Sequence, residues 1–181
     1  MILGLDVSTS CTGWCVLKED GGLVDMGMIP LSNKKSVYSK SVFTRSELEK
    51  ICSSYNIKKV YIEENLQSFR SGFSSAKTLS TLARFNGIVS FISFETFKTE
   101  PVHVNVNAAR KSLGIKIIRK KDGGKPTKDQ VFDWVKSSVS FPWPDKTLKS
   151  GPRKGLKVNH PGCFDMADAY VIGAAGIKMN T

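Results

Sequence analysis

Long apolar runs are missing from this sequence of 181 residues. A helix that crosses a membrane needs about 18 consecutive apolar residues, and no run here comes near that length. The first six residues, Met1–Asp6, lack both the basic start and the long apolar stretch of a secretory signal. We therefore expect neither a membrane protein nor a secreted one.

Cysteine is scarce, and its spacing fits no zinc site. The four cysteines are Cys11, Cys15, Cys52 and Cys163. The closest pair has the spacing C-x3-C, and no second Cys or His pair completes a set of four ligands. We interpret the cysteines as buried free thiols in a reducing cytoplasm. Folding of a chain this long buries roughly 70% of its unfolded surface, so one core suffices without disulfide or metal staples.

Acidic residues are few compared with basic ones. The chain has 27 Lys and Arg against 16 Asp and Glu, a net charge of +11. Residues 110–157 hold 14 basic and 4 acidic side chains, so most of the excess lies there. This distribution favours a polyanionic partner, most commonly nucleic acid. A solvated basic face that keeps the protein soluble is the alternative, and charge alone cannot separate DNA from RNA or an acidic protein.

Short apolar segments predict five strands, and helical spacing predicts five helices. The predicted strands are Ile2–Val7, Thr12–Leu17, Leu23–Ile29, Lys59–Glu64 and Val102–Val106. The predicted helices are one capped by Thr44 or Ser46 that ends near Asn56, then Ser74–Phe94, Asn107–Leu113, one capped by Thr127, and Phe164–Ile177. We expect an α/β fold over residues 1–181 as a single domain, with an antiparallel three-stranded meander extended by two parallel strands and flanked by helices.

Two segments are expected to lack regular structure. Residues 33–40 are polar and predict a loop. Residues 141–161 contain four prolines and two glycines, a composition that predicts a mobile basic loop.

Four acidic residues do not fit a solvated surface. Asp6 lies within an apolar strand, where burying an ionised group costs several kcal/mol unless it is paired or bound to a cation. Glu63 ends another strand, and Asp165 and Asp168 share one helix face because they are three residues apart. The alternatives are that turn amides after Asp6 satisfy it, that Glu63 meets solvent at its strand end, and that Asp165 caps its helix.

Carboxylates from two strands and a helix suit Mg²⁺ or Mn²⁺, which prefer hard oxygen ligands. Two such ions about 3.5–4 Å apart can activate water and stabilise the leaving oxygen of a phosphodiester. An acidic cluster in a basic protein therefore favours a metal-dependent nuclease.

Three motifs make this interpretation more specific. They are Gly4-Leu5-Asp6-Val7-Ser8 followed by Thr12-Gly13-Trp14, then Val60-Tyr61-Ile62-Glu63-Glu64-Asn65, and finally Asp165-Met166-Ala167-Asp168-Ala169. Together they resemble the RuvC-like Holliday junction resolvases of the ribonuclease H-like superfamily. The first motif alone is also typical of actin-like ATPases and sugar kinases, but those proteins need a second phosphate-binding loop and about twice this length. We therefore expect no nucleotide cofactor.

The resemblance implies a ribonuclease H-like fold and a set of functional residues. The implied metal ligands are Asp6, Glu63, Asp165 and Asp168, with two Mg²⁺ or Mn²⁺ ions per site. Lys128 matches a lysine near the scissile phosphate, and Phe69 matches an aromatic residue that stacks at the junction centre, although it could instead close over the core. The expected DNA contacts are Phe69, Arg70, Lys111, Arg119, Lys120, Lys121, Lys125, Arg153, Lys154 and Lys157. His160 could assist proton transfer or have no such role.

The resemblance further implies a homodimer that cuts four-way junctions by paired symmetric nicks. Ala83 and Gly87 on the helix over residues 74–94 are candidates for the contact, although packing on the chain's own sheet would explain small residues equally well. We expect a protein of the cytoplasm, of a bacterial cell or of a phage- or virus-infected host. The alternatives are a nuclease for other branched DNA or RNA–DNA substrates and a non-catalytic nucleic-acid-binding module. Four acids beside phosphates count against the last, since they oppose binding.

Overall fold

Five strands form one mixed sheet in the computed structural model, which describes residues 1–64 and 76–179. The strands are β1 (Ile2–Asp6), β2 (Cys11–Leu17), β3 (Leu23–Pro30), β4 (Lys59–Glu63) and β5 (Val102–Val104). Their order across the sheet is β3-β2-β1-β4-β5. β1, β2 and β3 pair antiparallel, whereas β4 runs parallel to both β1 and β5. The predicted meander with two added parallel strands is confirmed.

The helices connect these strands and cover both faces of the sheet. They are α1 (Val37–Ser54), α2 (Ala76–Phe97), α3 (Val106–Ser112), α4 (Thr127–Ser138) and α5 (Gly162–Met179). A short 3-10 turn at Lys120–Asp122 lies between α3 and α4. Within the described ranges, no helix combines the length and apolarity needed to cross a lipid bilayer.

Two helices, α1 and α4, are not capped by the residues that the sequence predicts. The loop predicted at residues 33–40 is partly wrong, because α1 begins at Val37 with Ser36 as its cap. The Ser36 hydroxyl accepts a hydrogen bond from the Ser39 amide at 3.1 Å, whereas Thr44 is buried inside the helix. Thr127 likewise is the first residue of α4 and not its cap. The first turns of α1 could not be distinguished from a loop in the sequence, because the exposed face of this helix is also polar.

The prediction that residues 141–161 lack regular structure throughout is wrong, whereas their mobility stays a prediction. Two short strands, β6 (Asp145–Thr147) and β7 (Lys157–Asn159), form an antiparallel hairpin. The prolines do not prevent pairing, because they lie before β6, between the strands and after β7. Trp143 anchors the base of the hairpin against Phe132 of α4, with ring centroids 4.8 Å apart. We refer to residues 145–159 as the basic arm.

The alternation of side chains along the strands divides the interior into two cores. Leu3 and Leu5 of β1 face α1 and α2. Ile2 lies in the opposite core with residues of α3, α4 and α5. Gly4 and Asp6 share the side of Ile2, so the α5 side of the sheet carries Asp6.

Glycine allows α5 to lie directly on this face. A Cβ atom on Gly13 would fall 1.9 Å from the Asp165 carbonyl oxygen, and one on Gly4 would fall 2.4 Å from that of Ala169. The Cys15 thiol donates a hydrogen bond to the same Ala169 carbonyl at 3.2 Å. Backbone therefore meets backbone at this interface, and the first turns of α5 are held close to the end of β1.

Gly13→Ala is expected to destabilise the fold, because a methyl group cannot be accommodated without moving α5 away from β2. We expect a loss of about 1–3 kcal/mol or more in the free energy of unfolding, measured by urea denaturation. Gly87→Ala is the matched control, since no atom of the described residues lies within 4 Å of a Cβ at that exposed helical position. It should stabilise α2 by up to about 1 kcal/mol. Equal stabilities for the two variants would contradict the close contact.

Candidate active site

The sheet and α5 bring four carboxylates to one place. Asp6 ends β1 and Glu63 ends the neighbouring parallel strand β4, with Leu5 aligned to Ile62 just before them. Parallel strands deliver their carboxyl ends to the same edge, so the two acids are adjacent. Asp165 and Asp168 occupy the first two turns of α5 over the same face. The charges of Glu63, Asp168 and Asp165 all act on Asp6, so the four acids lie near one another. We call them the carboxylate cluster.

Burial and mutual repulsion dominate the electrostatics of the carboxylate cluster. Burial, followed by the charges of Glu63, Asp168 and Asp165, raises the pKa of Asp6 well above its usual range. Burial and the charge of Glu63 raise the pKa of Asp168 to about 7. Asp6 and Glu63 share a hydrogen bond, which opposes the rise that burial causes in the pKa of Glu63. The cluster is therefore unfavourable in its fully ionised form.

Among the described residues, no backbone amide of the turn after β1 contributes a hydrogen bond to the electrostatics of the Asp6 carboxylate. The amide of Cys11 donates to the Ser8 hydroxyl at 3.2 Å, so this turn amide serves Ser8. The alternative that this turn satisfies Asp6 is not supported. The thiol of Cys11 instead forms a hydrogen bond with Asp165, and this bond opposes the rise that burial causes in the pKa of Asp165.

The donor set fits a hard divalent cation by its chemistry. All four groups supply carboxylate oxygens, and Asp168 Oδ1 is buried without a hydrogen-bond partner among the described residues. Within residues 1–64 and 76–179, however, no three His, Cys, Asp or Glu side chains converge closely enough to enclose an ion. The carboxylates as they stand are near one another but are not gathered around one point.

Two residues of this site were missed in the sequence. Asn86 of α2 is buried, and its Nδ2 donates to the Glu63 carbonyl at 3.0 Å, which fixes the end of β4. Arg110 of α3 lies beside Asp168, with Nη2 3.6 Å from Oδ1. The sequence signal for Asn86 was a polar residue inside the apolar stripe of α2, whereas Arg110 gave no such signal.

A cavity of about 140 Å³ opens beside the cluster between the sheet edge and α2. It is lined by Asp6, Glu63 and Asn86, together with Val7, Ser8, Glu64, Leu79 and Leu82. Among the described residues, Asp6 and Glu63 are therefore the members of the cluster that face this cavity.

Lys128 and His160 flank the Asp165 end of the cluster, and their charges oppose the rise in the pKa of Asp165. Lys128 Nζ also lies 4.7 Å from the ring centroid of Phe164. His160 Nδ1 accepts a hydrogen bond from the Gly162 amide at 3.1 Å, so the ring is fixed at the start of α5. Both side chains are therefore placed within electrostatic reach of the carboxylates.

The other predicted DNA contacts lie at varying distances from the cluster. Lys111 and Arg119 line a cavity of about 700 Å³ on the far side of Arg110. Arg119 pairs with Asp122 at 2.7 Å and Lys125 with Asp133 at 2.8 Å. The side chains exposed on the 3-10 turn and on the basic arm are Lys120, Lys121, Arg153, Lys154 and Lys157. Phe69 and Arg70 lie outside the described residues.

The sequence matches no protein-family model and no curated protein. Solved structures, in contrast, match over almost the whole chain. RuvC of Thermus thermophilus superposes with a TM-score of 0.62 at 16% identity, covering 99% of this chain and 94% of that chain. The fold is that of the RuvC-like resolvases.

Two further structures share this RuvC-like fold. T. thermophilus RuvC in complex with a Holliday junction substrate gives a TM-score of 0.62 at 13% identity, covering 99% of this chain and 93% of that chain. The yeast mitochondrial Holliday junction resolvase Ydc2 gives 0.56 at 14% identity, covering 98% and 77%. The resemblance seen in the motifs thus extends to the whole RuvC-like topology.

Asp168→Asn is expected to stabilise the metal-free protein at about pH 8 and to change little near pH 4. The pKa of Asp168 is about 7 in the folded protein, against an ordinary value of 3.8. Between these values the folded protein holds a proton that the unfolded chain has released. The stability contributed by this group is therefore complete below its unfolded pKa and is lost as the pH rises through 7. Thermal unfolding in chelator across this range measures the effect.

Glu100→Gln serves as the control, because this acid is exposed and precedes β5, away from the cluster. It should leave the pH dependence of unfolding unchanged. A parental pH dependence in Asp168→Asn would show that Asp168 is not a strained member of the cluster.

Proposed function

We propose that this protein is a divalent-metal-dependent endonuclease that cuts four-way DNA junctions. The observation that carries the proposal is the placement of four partly buried carboxylates, whose pKa values are all raised, at one edge of a RuvC-like fold. Among the structures that share this fold, Ydc2 is named as a Holliday junction resolvase, and T. thermophilus RuvC is seen in complex with a Holliday junction substrate. This shared fold, together with the carboxylate cluster of this chain, supports the same chemistry here.

The four acids of the carboxylate cluster would hold two divalent ions, Mg²⁺ or Mn²⁺, in one site per subunit. Bound ions of this kind activate water and stabilise the leaving oxygen of a phosphodiester. The protein's own contribution is positional: Asn86 fixes the end of β4, and the glycine contacts fix the start of α5. Lys128 and His160 supply positive charge and a proton-carrying ring beside Asp165.

The basic residues would meet the DNA backbone. Lys120 and Lys121 are exposed on the 3-10 turn, and Arg153, Lys154 and Lys157 are exposed on the basic arm. None of these five side chains forms an ion pair within the described part of the chain, so their charges are available to phosphates. Each phosphate they neutralise releases about 0.9 counterion, which favours binding at moderate salt.

The amide variants Asp6→Asn, Glu63→Gln, Asp165→Asn and Asp168→Asn are each expected to abolish cleavage of a synthetic mobile four-way junction. Binding of the same junction should persist or tighten, because each change removes negative charge beside the phosphates. Cleavage is measured on gels under single-turnover conditions with Mg²⁺ or Mn²⁺, and binding is measured by fluorescence anisotropy.

Glu100→Gln is again the control and should cut at the parental rate. Parental cleavage by both Asp6→Asn and Asp168→Asn would contradict the proposed metal cluster. Equal or faster cleavage of flap DNA or an RNA–DNA hybrid by the parent protein would assign the same site to a different nuclease substrate. Junction binding without cleavage by the parent at any divalent ion would favour a non-catalytic binding module.

We propose further that the protein acts as a homodimer through the outward face of α2. Ala83 and Gly87 are exposed on this face, so they do not pack on the chain's own sheet. Phe91 and Phe94 continue it with 59% and 49% of their surfaces exposed. Covering these apolar groups with the same face of a second copy would place two sites about a two-fold axis. Paired symmetric nicks require such an arrangement.

Phe91→Glu is expected to convert a dimer into a monomer, because it introduces charge into a buried apolar contact. Light scattering during size-exclusion chromatography over a range of concentrations measures the change. Ile118→Glu is the matched control, since Ile118 is equally exposed at 56% but lies in the loop before α4. A parent protein that is monomeric at every concentration and still makes paired symmetric nicks would exclude the two-fold mechanism.

A further inference from the structure

Arg110 and Asp168 face each other in an incomplete ion pair. Their side chains are only 19% and 21% exposed, and Nη2 lies 3.6 Å from Oδ1. That distance is within ion-pair range but too long for a hydrogen bond. Arg110 Nε and Asp168 Oδ1 are both buried without a hydrogen-bond partner in residues 1–64 and 76–179. Each of these two neighbouring charged side chains therefore keeps one buried polar atom without a hydrogen bond.

Such a pair contributes little to stability by itself. Removing two charges from water costs several kcal/mol per ion, and only close, well-aligned hydrogen bonds offset that cost. The pair between Arg45 and Glu95, by comparison, closes to 2.7 Å. Arg110 is consequently better explained by the whole group of carboxylates than by one bond to Asp168. Its charge also opposes the rises in the pKa values of Glu63 and Asp168.

The guanidinium has an alternative environment. Arg110 also lines the cavity of about 700 Å³, together with Lys111, Lys116 and Arg119, and none of the described residues that line it is acidic. Arg110 thus stands between a negatively charged cluster and a positively charged cavity. An anion such as a DNA phosphate in the cavity would attract the guanidinium away from the carboxylates.

We infer that Arg110 is the resident counter-cation of the carboxylate cluster, which it neutralises in part until a divalent ion displaces it. This inference rests on the proposed metal site and adds a residue that sets its affinity. Arg110 competes with the incoming ion for the same negative potential, so it lowers the affinity of the site. The displaced guanidinium is then available to a phosphate in the adjacent cavity, which couples metal binding to DNA binding.

Mn²⁺ binding to the DNA-free protein, measured by calorimetry, tests the inference. Arg110→Gln should bind Mn²⁺ about tenfold more tightly than the parent, because a competing positive charge close to the carboxylates is removed. Arg110→Lys should stay near the parental affinity. Lys111→Gln is the matched control, since it removes the same charge from the next residue of α3, where the side chain is exposed. It should change the affinity by less than about twofold.

Thermal unfolding gives a second readout. Without metal at neutral pH, Arg110→Gln should have a lower Tm than Lys111→Gln, and saturating Mn²⁺ should erase that difference. If Arg110→Gln does not fold without metal, the double variant Arg110→Gln/Asp168→Asn should recover stability, because it restores the charge balance. Failure of the double variant to recover would overturn the inference.

Unchanged or weaker Mn²⁺ binding in folded Arg110→Gln would also overturn it. The proposed function would survive that result if the parent binds Mn²⁺ and cuts junctions. Absence of Mn²⁺ binding in the parent, together with active amide variants of the acids, would instead remove the proposed metal site itself.

Discussion

The contact between the backbone of α5 and the backbone of the sheet determines where the candidate site can form. Gly4 and Gly13 remove side chains from the strands at the points where α5 crosses them. Gly173 does the same on the helix, where a Cβ would lie 3.4 Å from the Gly4 Cα. Close packing of this kind has few alternative arrangements, since any added methyl group must displace main chain. The position of Asp165 and Asp168 therefore follows from residues that carry no functional group.

The same contact forces an electrostatic cost on the fold. Four carboxylates are held together at a partly buried edge, and burial raises the pKa of every one of them. A protein selected for stability alone would not keep this arrangement, because replacing ionised groups in such a place usually stabilises. Strain of this type is characteristic of sites that bind or react. Three neighbouring groups reduce this cost by opposing the rises in pKa. Arg110 acts on Glu63 and Asp168, and Lys128 and the thiol of Cys11 act on Asp165.

The sheet and the cluster could be predicted because their signals are local in sequence. Alternation and short apolar runs identify strands, and an acid inside such a run is conspicuous. The i, i+3 spacing of Asp165 and Asp168 places both on one face of any helix. The basic arm could not be predicted this way. The base of its hairpin is held by the ring contact of Trp143 with Phe132, and Phe132 lies 11 residues earlier in the sequence. The role of Arg110 could not be predicted either, because only the packing of α3 distinguishes this residue from the neighbouring Lys111.

The basic arm and α5 are joined almost without a linker. β7 ends at Asn159 and α5 begins at Gly162. The His160 amide donates to the Pro144 carbonyl at 2.8 Å, which ties this junction to the other strand of the arm. The distal half of α5 is wedged against the sheet, where Gly176 sits over the ring of Tyr61. The short connection and the fixed far end of α5 together set the position of the basic arm relative to the helix turn that carries Asp165.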